Sequence, residues 1–433
     1  MEPLNVENPT NQPDTSSKTH IIIYIILGLI IVGLIIGLVL VIISKDKEKE
    51  KEVIKEVEKQ VIVPYPVIIP NIDENFFGEI RRNITYYDEN GKIKNTFGST
   101  GTHYIEQVGN VHNGTDYKKT EANNYDLYIP SQALKNKEGH NGIFLFIHGG
   151  AWVGGYKLEM DKFFVSYGQM GYITANMEYT LLALNSPETN IFRIVDEITA
   201  CISNIKEQLV NRSFIGDNLE LAIFGYSAGA HLTLLYSYLI ADSPIKIKFT
   251  VDISGPISLE RQYNLMLKEV NDTLPNLTKS YIEDFQEQGR LKDTLFRKNE
   301  TLLILNCFLG WKYSYNELME MLIINGSEMS INYTNEKYKE LINITSYGFP
   351  LYIVDNNRVP VLCYYSGNDQ VVGVSAFAYL EEKAKNDSKP IELIYSKYSD
   401  HNFYDFSMED SVEHLRELNL KIIEYSKKYF TQE

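Results

Sequence analysis

The longest uninterrupted apolar run lies near the start of the chain. Ile21 to Ile43 is 23 residues without a charged side chain. As a helix it would reach roughly 34 Å at ~1.5 Å per residue, enough to cross a hydrocarbon core of ~30 Å. It has none of the polar stripe that a helix half-buried in a core would show. It also exceeds the roughly 7–15 apolar residues of a signal peptide, and it ends in Ser44-Lys45-Asp46-Lys47 rather than a small-residue cleavage site. Residues 20–44 therefore predict one transmembrane helix behind a short tail, 1–19. Lys45 to Gln60 interleaves six lysines with six acids, the pattern of a solvated stalk. Val61 to Pro70 holds Pro64, Pro66 and Pro70 among Val and Ile, which suits a stiff, extended spacer. The stalk is thus 45–71 and the body 72–433.

In the body the pattern changes to short apolar runs separated by helical periodicity. Tyr125–Ile129, Ile143–Ile147, Tyr172–Asn176, Leu219–Phe224, Phe249–Ile253, Val361–Tyr365 and Ile391–Tyr395 read as strands buried on both faces. Ile191, Ile194, Val195, Ile198, Ile202, Ile205 and Leu209 recur at helical spacing. Helices also fit Ser227–Ile240, Val374–Ala384 and Glu409–Phe430. Strand–helix alternation implies a mostly parallel central sheet with helices on both faces. Asn90-Gly91, set between Ile84–Tyr87 and Lys92–Lys94, predicts a hairpin leading into the body. Residues 257–358 break the rhythm, with helical patterning and no clear strand. A structureless loop of that length is implausible, so this segment is expected to be a helical insertion capping the strand ends and lining an acyl pocket with residues such as Phe308 and Trp311.

The candidate chemistry sits where the predicted elements join. Leu219–Phe224 runs into Gly225-Tyr226-Ser227-Ala228-Gly229 and then a helix, which is G-x-S-x-G in its strand–turn–helix setting. The glycines permit a tight turn that lifts Ser227 clear of the sheet, and the helix N-terminus favours developing negative charge. A serine needs a histidine to take its proton and a carboxylate to orient that histidine. Of eight histidines, only His231, His401 and His414 follow Ser227. His231 falls one helical turn after it and suits a packing or hydrogen-bonding role, while His414 lies mid-helix among charges. His401, in a loop after Ile391–Tyr395, is the candidate base. Asp369, in the loop after Val361–Tyr365, is the candidate acid; Asp400 adjoins His401 and is badly placed to bond its ring. Ile143–Ile147 ends in His148-Gly149-Gly150-Ala151-Trp152. The N–H groups of Gly149 and Gly150, with that of Ala228, would cradle an oxyanion.

His148–Trp152, Tyr125–Pro130, Gly225–Leu232 and the Asp369 and His401 loops resemble α/β-hydrolases of the H-G-G carboxylesterase type, a group that includes hormone-sensitive-lipase-like, kynurenine-formamidase-like and feruloyl-esterase-like enzymes. The likeness runs from Tyr125 to Phe430. It implies the α/β-hydrolase fold, a Ser227–Asp369–His401 triad, an oxyanion hole from Gly149, Gly150 and Ala228, and a small-molecule ester substrate. It implies no cofactor and no metal. Tyr179-Thr180 departs from the Tyr-Arg of many relatives, and the insertion is long.

Composition narrows the setting. Lys plus Arg number 41 against 57 Asp plus Glu, a net charge of −16, which argues against a nucleic-acid partner. Three cysteines cannot build a disulfide framework, and Cys363 reads as a core thiol. Two signals disagree on orientation. One lysine precedes the span and six follow it, which taken alone would put the body in the cytosol. Against this, Asn83, Asn113, Asn211, Asn271, Asn276, Asn299, Asn325, Asn332, Asn343 and Asn386 all begin Asn-x-Ser/Thr, ten where composition alone gives about four. All follow the span. A single-pass protein with a lumenal or extracellular body (type II) is the expectation. An esterase has two rivals. A prolyl-oligopeptidase-like peptidase needs a propeller before the catalytic domain, and the residues between the span and Tyr125 are too few at ~40–50 per blade. A non-catalytic, adhesive ectodomain of hydrolase type often lacks a triad member, and here all three candidates are present.

Overall fold

The computed structural model describes residues 78–94, 116–135, 141–183, 188–213, 215–257, 298–310, 312–325, 328–346, 348–350, 359–367, 369, 371–372, 391–396, 399–401 and 409–430. The chain divides after Asn71, and all of these belong to the unit Ile72–Glu433. The expected tail, transmembrane helix and stalk lie outside the described residues, as do Val374–Ala384 and Trp311. Among the described residues no helix is long and apolar enough to cross a membrane.

The elements in chain order are β1 Glu79–Thr85, β2 Lys92–Ile93, β3 Tyr117–Lys118, β4 Asn124–Ile129, α1 Ser131–Lys135, β5 Asn141–Ile147, α2 Asp161–Gln169, β6 Ile173–Met177, α3 Ile191–Glu207, β7 Leu219–Tyr226, α4 Ala228–Leu239 and β8 Lys246–Ile253. Then follow α5 Lys298–Phe308, α6 Tyr315–Glu320, β9 Leu322–Asn325, β10 Glu328–Ile331, α7 Glu336–Ser346, β11 Val361–Ser366, β12 Ile391–Ser396 and α8 Glu409–Tyr429. Eight strands form one sheet in the order β1-β4-β6-β5-β7-β8-β11-β12. β1–β4 and β4–β6 are antiparallel, and from β6 to β12 every neighbour is parallel.

Strand alternation builds the two faces. Along β5, Ile143, Leu145 and Ile147 join one apolar cluster, with α3, α4 and the inserted α5 and α7. Phe144 and Phe146 point the other way, into a cluster with Phe163, Phe164 and Tyr167 of α2 and Leu418 and Ile422 of α8. Successive side chains on a strand face opposite sides, so a continuous apolar run is what a doubly covered strand requires. Helix α3 starts where the Asn190 side chain accepts the Arg193 N–H at 3.0 Å. Its buried Arg193 bonds Glu197 at 2.9 Å, and Glu197 also accepts the N–H and hydroxyl of Thr180 at 2.8 and 2.6 Å. The Tyr179-Thr180 departure therefore has a partner of its own: Thr180 is held by the carboxylate that Arg193 neutralises.

All seven expected strands are present, displaced at their ends by three residues at most. Two expectations are corrected. Asn90-Gly91 does turn the chain, with Gly91 at φ 69° and its N–H on Asp88 O at 2.9 Å, but the flanking strands do not pair. β1 pairs with β4 and β2 with β3, because β1 completes the sheet edge across a bulge at Arg81–Ile84. The insertion is not all helical: β9 and β10 form an antiparallel pair within it. Met321 to Asn325 is apolar on average but too short for a helix of its own, and Gly326 follows it. Of the sequon asparagines, Asn83 and Asn211 are exposed at the β1 bulge and the turn after α3, and Asn343 is exposed on α7. Asn332 accepts both the N–H and the hydroxyl of Thr334, at 3.2 and 2.7 Å. Asn299 lies in α5 and Asn325 in β9. Asn113, Asn271, Asn276 and Asn386 lie outside the described residues.

Candidate active site

Three backbones meet at the end of β7. A Cβ on Gly225 would stand 2.2 Å from the Gly229 carbonyl oxygen, and one on Gly229 would stand 2.1 Å from the Ile147 carbonyl oxygen. Both positions of G-x-S-x-G are therefore closed to any other residue by backbone, which does not yield as a side chain would. Between them Ser227 takes φ 52° and ψ −120°, a left-handed conformation for a residue with a Cβ. Its N–H donates to Ile253 O of β8 at 2.8 Å, and its carbonyl accepts the His231 N–H at 3.1 Å. The strain is on the order of 1–3 kcal/mol and persists because the surrounding bonds fix it.

The three expected triad residues come together from three strand ends. The Ser227 hydroxyl lies 3.0 Å from His401 Nε2, and His401 Nδ1 lies 2.7 Å from Asp369 Oδ2. The other carboxylate oxygen of Asp369 accepts the N–H groups of Val371 and Val372, each at 2.8 Å. A carboxylate only accepts, so Nδ1 carries the ring proton and Nε2 faces the serine as an acceptor. Asp369 is fully buried, while His401 and Ser227 keep some access to solvent. Tyr226, the variable residue of the motif, donates its hydroxyl to the His401 carbonyl at 2.8 Å and so ties the His401 loop to the Ser227 turn.

The glycine loop after β5 reaches the same point. A Cβ on Gly149 would lie 3.1 Å from Ser227 Cβ, so this peptide packs directly on Ser227. Gly150, at φ 101°, makes the tight turn that follows, its carbonyl accepting Val153 and Gly154 N–H groups at 3.1 and 2.9 Å. Ala151 and Trp152 also hold positive φ, 50° and 63°. The Tyr179 hydroxyl lies 3.2 Å from both the His148 and Gly149 carbonyl oxygens and pins the loop from outside. Ala228 is the first residue of α4, beside Ser227.

The backbone order of strand, strained serine turn and helix, with Asp369 and His401 on later strand ends, decides the fold. The fold is that of an α/β-hydrolase. Residues 125–284 match the BD-FAE family, which takes in Gly149, Gly150, Ser227 and Ala228 and stops before Asp369 and His401. Over 202 residues the chain is 27% identical to the isoprenylcysteine alpha-carbonyl methylesterase ICME of Arabidopsis thaliana, covering 43% of this chain and 45% of that one. Over 116 residues it is 30% identical to a probable isoprenylcysteine alpha-carbonyl methylesterase of Oryza sativa subsp. japonica, covering 27% and 26%. The chain thus spans less than half the length of these relatives. Similar solved structures include a truncated carbohydrate esterase from gut microbiota, with TM-score 0.48 and 12% identity over 82% of this chain and 99% of that one. A bacterial heroin esterase gives TM-score 0.47 and 14% identity over 84% and 88%.

Three residues near the site were not singled out from the sequence. Tyr226 had no signal beyond being aromatic. Lys157 follows the glycine loop and is buried, its ammonium bonded to Asn83, Asn124 and Asp126 at 2.7, 2.6 and 2.7 Å. Asp252, near the end of β8, accepts the Tyr365 hydroxyl at 2.9 Å and the Gly255 N–H at 2.8 Å. Its cue was a lone acid inside an apolar strand. His231 bears out the packing and hydrogen-bonding role expected of it: it is fully buried and bonded on both ring nitrogens. Burial pushes its imidazole down to about 3, so the ring is neutral. Phe308, expected to line an acyl pocket, is fully buried, 5.1 Å from the Trp152 ring and stacked on Phe349. Aromatic surface contributed by both segments is more stable closed on itself than exposed.

Burial pushes the Asp252 carboxyl up to about 7, against the Tyr365, Gly255 and Cys363 bonds that favour its charge. An unfolded aspartate titrates near ~3.9. The folded state therefore holds the extra proton between these values, and the stability this site confers is full below about 4 and lost as pH rises through about 7. Asp252→Asn cannot ionise. From pH 5 to 8 the unfolding midpoint of the wild type should fall relative to that of Asp252→Asn; parallel curves would contradict a raised Asp252.

Proposed function

We propose that this chain is a membrane-anchored serine hydrolase that cleaves carboxylic esters through an acyl-enzyme. The reading is carried by the continuous Asp369–His401–Ser227 hydrogen-bonded chain at 2.7 and 3.0 Å. In this mechanism Ser227 Oγ attacks the ester carbonyl carbon as its proton passes to His401 Nε2. Asp369, bonded to Nδ1–H, stabilises the imidazolium that forms. The carbonyl oxygen becomes an oxyanion held by backbone N–H groups of Gly149, Gly150 and Ala228. Collapse expels the alcohol, which takes the proton from His401. Water then gives its proton to the same nitrogen and attacks the acyl carbon, releasing the acid and restoring Ser227.

The names of the curated relatives make carboxylic methyl esters the first class to try. The anchor is the apolar run at 21–43, and the excess of sequons after it supports a lumenal or extracellular body. The assembled triad weighs against the adhesive reading, since an adhesive surface needs no oriented Ser–His pair.

Ser227→Ala should lower ester turnover by about 10⁴-fold or more while leaving the fold intact, as measured by initial rates and circular dichroism. Wild-type rates in that variant would end the serine reading. For orientation, protein made in a eukaryotic host should lose apparent mass on enzymatic deglycosylation, with exposed Asn83 and Asn211 among the occupied sites. An unchanged mass, with the body digested by protease from the cytosolic side, would reverse the topology.

A further inference from the structure

The side chain one turn past the nucleophile joins three parts of the molecule. The indole N–H of Trp152, at the end of the glycine loop, lies 3.2 Å from His231 Nδ1. An indole nitrogen only donates, so Nδ1 is the acceptor and the ring proton sits on Nε2. That N–H donates to the Gly348 carbonyl of the insertion at 2.8 Å. The backbone N–H of His231 donates to the Ser227 carbonyl. One neutral imidazole thus bonds the glycine loop on one edge and the insertion on the other, from the helix that carries Ser227.

The apolar contacts repeat the link. The Trp152 ring packs edge-on against His231, Phe308 and Phe349 at 5.0, 5.1 and 6.3 Å, and Phe308 and Phe349 stack at 5.0 Å with an interplanar angle of 1°. Phe308 and Phe349 belong to the insertion. A Cβ on Gly348 would stand 2.6 Å from the Phe308 ring, so the aromatic stack sits on bare backbone at the point where that backbone reaches His231. Ala151 and Trp152 both hold positive φ. A conformation of that kind lasts only where its surroundings fix it, and two of the three rings against Trp152 come from the insertion.

We propose that His231 is a positioning residue that locks the glycine loop to the nucleophile helix, and that seating of the insertion through Phe308, Phe349 and Gly348 completes the lock. This rests on the serine-hydrolase reading. The insertion then serves the oxyanion hole rather than only shaping substrate choice. Its loss should slow the chemical step more than it weakens substrate binding.

The test uses the full-length protein, a fluorophosphonate probe and a chromogenic short-chain ester. Trp152→Phe keeps an aromatic ring, though a smaller one, and loses the indole N–H. His231→Gln keeps a donor near Nε2 and loses the acceptor at Nδ1. Gly348→Ala pushes on Phe308 from the insertion side. Each should lower kcat by about 10- to 100-fold, the range for a misplaced catalytic group, with KM within about twofold of wild type. The acid limb of the pH profile should keep its midpoint, because His401 is untouched. The double variant Trp152→Phe/His231→Gln should be no slower than the worse single one, since both break one link. Folded variants with wild-type kcat, or with KM raised and kcat intact, would overturn the proposal, as would a double variant whose losses multiply. A wild type that the probe labels at Ser227 isolates such a failure to His231; a wild type that it leaves unlabelled overturns both this proposal and the serine reading.

Discussion

The whole site depends on a collision that only glycine avoids. At the end of β7 the chain turns so tightly that the Gly229 backbone touches Gly225, and Gly229 in turn touches the carbonyl of Ile147 at the end of β5. Ser227 is forced to φ 52° between them. The same contact brings the β5 glycine loop against the serine, because β5 and β7 are neighbours in parallel register from Asn141–Leu219 to Ile147–Gly225. Ser227 and the glycine loop are therefore placed by one sheet register, and a slip of one residue would separate them.

Buried charge holds the surroundings of that turn rather than the turn itself. Lys157 follows the glycine loop and carries it onto β1 and β4 through Asn83, Asn124 and Asp126. Burial alone would raise the Asp126 carboxyl, yet the bonds from Lys157, Asn83 and Arg82 keep it below its ordinary value. On the other side, Arg193 and Glu197 fix Thr180 beside Tyr179, whose hydroxyl reaches the His148 and Gly149 carbonyls. Breaking one side of a buried pair of this kind costs about 3–5 kcal/mol, which is a large part of the stability of a single domain. The loops near Ser227 are thus tied to the scaffold by interactions that resist gradual deformation.

Six of the seven expected strands lie inside the sheet and were legible because burial on both faces leaves an unbroken apolar run, as in Ile143–Ile147; the seventh, β12, is the other edge, is only partly buried and was legible from a run broken by Glu392. Ser227, Asp369 and His401 were legible because each follows one of these runs. The edge strand β1 was not: it is largely exposed, its run Glu-Ile-Arg-Arg-Asn-Ile-Thr is half polar, and its partner β4 lies about forty residues on. Helix α2 was passed over because Asp161–Gln169 is short and its aromatic residues serve a cluster built mostly from distant strands. The β9–β10 pair hid inside a segment read by helical period. His231 could be assigned a bonding role from its position on α4, but its partners Trp152 and Gly348 stand 79 and 117 residues away in the chain, beyond any local pattern.

In the proposed reaction the Asp369–His401–Ser227 chain makes Ser227 a nucleophile that carries the acyl group. The direct measurement is rapid-quench turnover of a chromogenic ester, with mass analysis of the quenched protein. An initial burst of alcohol approaching one equivalent per active site is predicted, together with an acyl mass increment on the peptide that contains Ser227. Hydrolysis that proceeds with Ser227 unmodified under conditions where deacylation is slowed, or an acyl group found on another residue, would contradict it.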